Sequence, residues 1–198
     1  KAVVFTESKR TQKYIAAELR RSGYSEEDIL LFNGDFDDAM TKEIFRTWKV
    51  KNFGKTNYGR SVEYKHAIVD YFKSHAKILI VTDAGSEGLN LQFCNTIINY
   101  DLPWNPQKIE QRIGRCHRYG QTHDVVAINL LNTDNEADRR VYDILSKKFE
   151  LFEGVFGASD VALGALESGV SFEKRILDIY QNCKNITAVR KAFAALNR

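Results

Sequence analysis

Five short runs of aliphatic residues punctuate the chain: AVVF (2–5), DILLF (28–32), KILIVT (77–82), TIINY (96–100) and VVAINLL (125–131). A strand with one wet face alternates apolar and polar side chains. Near-continuous runs of this kind fit strands buried on both faces, as in a parallel sheet. Between them the apolar positions recur at helical spacing, in SKRTQKYIAAELRRSG, AMTKEIFRTWK, EYKHAIVDYFKSH and NPQKIEQRIGRCHR. Ser8 is placed to cap the first of these helices and Gly23 to stop it. Strand and helix alternating at this spacing predict an α/β open sheet.

Two segments break the rhythm. Residues 50–63, rich in Lys, Asn and Gly with few apolar anchors, read as an insertion or surface loop. After about residue 133 the strand pattern stops. EADRRVYDILSKKFELF, SFEKRILDIYQNCK and ITAVRKAFAALNR are all helical. The expected organisation is one α/β domain over 1–150 and a helical extension over 151–198. The chain opens KAVVFTES, a strand beginning at once without methionine, and reads as a piece of a longer polypeptide.

Composition narrows the class only a little. A chain that is 43% apolar and 12% aromatic, with two prolines, is expected to build a core rather than long linkers. No apolar run approaches the roughly 20 residues that span a bilayer, so no membrane partner is expected. A net charge of +3 weakly favours a polyanionic partner. Cys94, Cys116 and Cys183 lack CxxC spacing, and the four histidines do not complete a zinc set. They read as reduced cysteines of a cytoplasmic protein, with no metal site.

Three segments carry candidate chemistry. FGKT at 53–56 invites a phosphate-loop reading, but the glycine required five positions before the GK pair is Lys49, and no strand precedes it. In KILIVTDAGSEGLNLQ (77–92) a buried run ends at Thr82 and Asp83, and glycines follow on either side of Ser86 and Glu87. The carboxyl ends of strands are where ligands sit in open α/β sheets. Glycines there let backbone amides approach a phosphate, although a plain strand-to-helix turn would look similar.

The third segment, EQRIGRCHRYGQ, can be resolved on a helical wheel at about 100° per residue. Gln111, Arg115 and Arg118 fall on one polar stripe, Ile109, Ile113 and Cys116 on the opposite face, and Arg112 between. A solvated basic face is one reading. The other is bidentate phosphate recognition, since the stripe uses the planar fork of arginine and no lysine.

Taken together, VVFTES, ILIVTDAGSEGLNLQFCNTIINYDLPWNPQ and EQRIGRCHRYGQ resemble motifs IV, V and VI of superfamily 2 helicase-like ATPases. The run DLPWNPQ before QRIGRCHRYGQ looks most like the Swi/Snf branch and its bacterial RapA-type members. The resemblance implies a RecA-like C-terminal lobe, an open parallel sheet flanked by helices. ATP and Mg²⁺ would be held mainly by an N-terminal RecA-like lobe of the same polypeptide.

On this resemblance Arg115 and Arg118 are arginine fingers with Gln111 beside them, and Glu87, Gly88 and Asn90 approach the nucleotide. Thr6, Ser8, Asn33, Gly34 and Thr82 would contact the nucleic-acid backbone. The implied activity is ATP-dependent translocation on double-stranded DNA, with a protein remodelled on that DNA as a further partner. A strand-separating or RNA-directed helicase lobe, or a non-catalytic nucleic-acid-binding module, are the alternatives. Glu87 departs from the pattern, standing where many relatives carry glycine. The lobe alone is expected to hydrolyse no ATP.

Overall fold

The computed structural model describes residues 1–36, 38–55, 57–117, 124–136, 138–139, 142–143, 169–183, 187–188 and 191–192. It divides into two compact units, Lys1–Asp101 with Gln111–Leu130, and Leu102–Glu110 with Leu131–Arg198.

The first unit contains five strands: β1 (Ala2–Thr6), β2 (Ile29–Phe32), β3 (Ile78–Thr82), β4 (Thr96–Asn99) and β5 (Val126–Asn129). They form one sheet in the order β2-β3-β1-β4-β5, and every pairing is parallel. The registers are regular: Thr6 lies opposite Thr82, and Phe5 opposite both Val81 and Asn99. All strands therefore end on one edge, and the candidate residues after β1, β2 and β3 share it. The α/β expectation holds, and each strand begins and ends within two residues of its predicted run.

Alternate residues of each strand face opposite sides, and both sides are covered. Val3, Phe5, Leu30, Phe32, Leu79 and Val81 pack in one core with residues of α2 (Ala39–Lys51) and α3 (Arg60–Ser74), among them Trp48, Tyr64 and Phe72. Val4, Ile78 and Ile80 pack against Ile15 and Ala16 of α1 (Lys9–Arg21). Burial on both faces explains the lack of polar alternation in the inner strands. The edge strand β5 differs: its Val126 and Ile128 are exposed, as is Leu130 just after it.

Local chemistry sets the helix ends. The Ser8 hydroxyl accepts from the amides of Arg10 and Thr11, and Gly23 follows α1 with φ of +100°, the predicted cap and stop. Asp38 caps α2 through the amide of Thr41, and Thr82 caps the short α4 (Asp83–Ser86) through the amide of Gly85. The segment 50–63 is shorter as a loop than expected, because α2 runs to Lys51 and α3 begins at Arg60. Glu63, which opens the predicted helical pattern, is a buried residue of α3 that pairs with Lys49 at 2.6 Å. FGKT lies between these helices with Phe53 exposed and no strand before it, so it has no phosphate-loop setting.

Cys94 and Cys116 are both buried in the first unit. A hydrogen bond with Cys94 and burial push the Cys116 thiol up, which keeps it protonated and inert.

In the second unit, the Trp104 indole donates to Asp138 at 3.1 Å, and Asn105 accepts from the amide of Gln107 at 3.0 Å. The helix α6 (Gly169–Asn182) lies where a helical pattern was predicted and buries Ile176. Most of the two flanking helical patterns, 136–152 and 186–198, lies outside the described residues. No described helix is long and apolar enough to cross a membrane.

Candidate nucleotide and nucleic-acid site

The carboxyl edge of the sheet is organised by Arg112, a residue the wheel left between two faces. It lies on α5 (Pro106–Cys116) and is 2% exposed. Its Nε and Nη2 donate to the two carboxylate oxygens of Asp83 at 2.7 and 3.0 Å. Its Nη1 donates to Asn99 Oδ1 at 3.1 Å and to the carbonyl of Asp101 at 3.0 Å. The guanidinium also stands 5.4 Å from the centre of the Phe5 ring. A buried charge needs both an ion pair and satisfied donors, and Arg112 has both.

The network continues on either side. Asn99 donates to Asn129 Oδ1 at 2.7 Å, tying β4 to β5. Asp101 accepts the Thr6 hydroxyl at 2.5 Å and the Glu7 amide at 3.0 Å. The loop after β3 is thereby locked to the middle of α5, and the loop after β1 to the end of β4.

The loop after β3 is held at four more points. The Thr82 hydroxyl accepts from the Gly85 amide at 3.2 Å and donates to the Asn33 carbonyl at 3.2 Å. Gly85 packs so closely that an added Cβ would lie 2.6 Å from the Phe32 carbonyl oxygen. Gly34 adopts φ of +87° against the same loop. Finally the Leu91 amide donates to the Arg115 carbonyl at 3.0 Å. Gly85→Ala must push backbone from backbone, so it is expected to cost about 1–3 kcal/mol. At a typical conversion for this size the thermal midpoint falls by roughly 2–12 °C, read by calorimetry against wild type.

The predicted site residues divide by exposure. Thr6 and Thr82 were expected to contact the nucleic-acid backbone; both are buried, with their hydroxyls bound inside the protein. Asn33 is half-buried and accepts from the Asp35 amide, and Ser8 is half-buried as the α1 cap. Glu87, Gly88, Asn90 and Gln111 are exposed. Arg115 is half-buried and, among the described residues, has no acidic partner. Arg118 lies outside the described residues. Ile109 and Cys116 are fully buried, as the wheel placed them. Arg112 is the residue that sequence reasoning missed. A groove between α2 and α3, lined by Met40, Trp48 and Tyr71 among others, contains none of these site residues.

The chain matches the family model of the helicase conserved C-terminal domain over residues 24–120. This interval runs from the end of α1 through the Asp83–Arg112 clamp. The chain belongs to superfamily 2, as a helicase C-terminal lobe. The lobe is 37% identical over 179 residues to YqhH of Bacillus subtilis, an uncharacterized ATP-dependent helicase, covering 90% of this chain and 27% of that protein. It is 43% identical over 70 residues to the RNA polymerase-associated protein RapA of Serratia proteamaculans, covering 34% of this chain and 7% of that protein. The chain thus spans about a quarter or less of the relatives it matches. A solved structure, the C-terminal part of the Fun30 ATPase domain, aligns with a TM-score of 0.49 at 22% identity over 90% of this chain and 48% of that one. The assignment of the lobe therefore rests on the sequence matches and on its own sheet order.

Proposed function

We propose that this lobe is the second half of an ATP-driven motor that tracks double-stranded DNA. ATP and Mg²⁺ would be held mainly by an N-terminal RecA-like lobe of the same polypeptide. This lobe would close the cleft with Arg115 and Arg118, Gln111 beside them, and with the loop bearing Glu87, Gly88 and Asn90. The observation that carries the reading is the contrast between two arginines on one helix. Arg112 is buried and saturated, whereas Arg115 has no acidic partner among the described residues. A guanidinium fixed on a rigid helix without an internal anion suits a phosphoryl group arriving from outside.

Nucleic-acid contact would fall to the loops at the same edge, at Ser8, Asn33 and Gly34. Thr6 and Thr82 would shape those loops from within rather than donate to phosphate. Backbone contacts are blind to sequence, so binding should be salt-dependent and general. RapA, an RNA polymerase-associated protein, and YqhH are bacterial relatives that support a bacterial protein, and a protein remodelled on DNA would be a further partner.

The test is ATP turnover with duplex DNA, single-stranded DNA or RNA added. The isolated 198-residue chain is expected to hydrolyse no ATP, and the polypeptide joined to its nucleotide-binding lobe to be stimulated most by duplex. Robust hydrolysis by the chain alone, or greater stimulation by RNA, would overturn the reading.

A further inference from the structure

The segment from Lys51 to His66 was not absorbed by any motif, yet it lies against one. The Lys65 ammonium stands 3.5 Å from where a Cβ on Gly88 would be, over the exposed loop that follows β3. Gly88 itself has φ of +74°, so the loop there presents backbone and no side chain. Beside Lys65, the exposed His66 ring stacks on Tyr58, with centroids 5.6 Å apart and planes within 24°. Tyr58 is 60% exposed, and Phe53 at the head of the loop is 90% exposed.

Charge in this segment is one-sided. Lys51, Lys55, Arg60 and Lys65 are its cations and Glu63 its one acid. Glu63 is buried and taken by Lys49 from α2. The described residues therefore leave all four cations without an ion pair. Elsewhere in the first unit the pattern is mixed: Lys9, Arg20, Arg21, Arg46 and Lys77 each have a carboxylate, whereas Arg10, Lys13, Lys42 and Lys73 have no ion pair among the described residues, so what marks this segment is the exposed rings beside its cations. Unpaired cations interleaved with exposed rings are the chemistry of a surface that follows a nucleic-acid backbone.

We infer that Arg60 and Lys65 of α3, the latter beside the Gly88 loop, form a second phosphate-backbone contact apart from the one at Ser8, Asn33 and Gly34. The ligand is nucleic acid, bound through its phosphates, with Tyr58 and Phe53 available to a sugar or base. This inference rests on the nucleic-acid reading of the lobe. It adds a surface which that reading does not use.

The experiment measures duplex affinity of the polypeptide containing both lobes across a salt series, for wild type, Lys65→Gln with Arg60→Gln, and Arg46→Gln. Arg46 is the control, an exposed arginine already paired with Glu43. Each lost phosphate contact should reduce the slope of log affinity against log salt by about 0.9 on B-form DNA. The double variant should therefore lose roughly 2 in slope, with an unchanged thermal midpoint, and Arg46→Gln should keep the wild-type slope. A wild type that binds no duplex sinks the nucleic-acid reading and this inference with it. If wild type binds and the double variant keeps its slope, the motor reading stands and the second contact does not exist. Equal loss in Arg46→Gln would reduce the effect to net charge and overturn the site. Weakened binding of a fluorescent ATP analogue, with the duplex slope kept, would assign Lys65 to nucleotide phosphate instead and overturn it equally.

Discussion

Arg115→Ala, placed in the polypeptide that joins this lobe to its nucleotide-binding partner, is expected to lower duplex-stimulated ATP turnover by about 10³-fold or more. ATP binding should change little. The expectation follows from what a guanidinium does for a transferring phosphoryl group. It neutralises charge that develops in the transition state and is weaker in bound ATP, so its loss falls on the rate rather than on affinity. The structure adds why Arg115 should be ready for that role. Its backbone is pinned by the Leu91 amide, and its side chain has no acidic partner among the described residues. Single-turnover hydrolysis alongside equilibrium ATP binding separates the outcomes. Lost duplex affinity with basal turnover kept would make Arg115 a grip on nucleic acid. Arg115→Lys should rescue poorly, because an ammonium does not reproduce the two-pronged donor.

Arg112→Ala is expected to act on the same helix in a different way, through stability. Removing one partner of a buried ion pair leaves the other charge uncompensated, typically at 3–5 kcal/mol. Asp83 retains 34% side-chain exposure, which lets water recover part of that loss, so the lower end, about 3 kcal/mol, is expected. The thermal midpoint should drop by roughly 6–12 °C. Asn99 and the Asp101 carbonyl also lose a donor, and the Phe5 ring loses its cover. Thermal melts of Arg112→Ala, Asp83→Asn and the double variant form a cycle that tests the pairing. Strictly additive effects would mean that the clamp contributes no coupling.

The two arginines show where sequence reading reached and where it stopped. Strands and most helices were legible because each is coded locally, by a continuous apolar run or by helical spacing with a cap such as Ser8. The half-exposed place of Arg115 was legible because the wheel set it opposite Ile109 and Cys116. Arg112 was not, because its burial is decided by Asp83 and Asn99, which lie 29 and 13 residues away in the chain. The usable signal was its place at the margin of the apolar face, with an acid waiting at the end of a buried strand. The inward bonding of the Thr6 and Thr82 hydroxyls was hidden for a related reason. A hydroxyl at a strand end can face a ligand or an internal acceptor, and Asp101 and the Asn33 carbonyl come from other elements. The first turn of α3 was hidden by loop-like composition, while its buried acid depends on Lys49 of another helix.

The clamp also constrains how such a lobe can diverge. Asp83 and Arg112 satisfy each other through two parallel hydrogen bonds, so neither position can drift alone without leaving a charge stranded. Across descendants of this lobe the two should change together or remain fixed, as an inherited pair. Glu87 and Gln111, exposed and outside the clamp, carry no such inherited pairing, and any constraint on them comes from the nucleotide they would face.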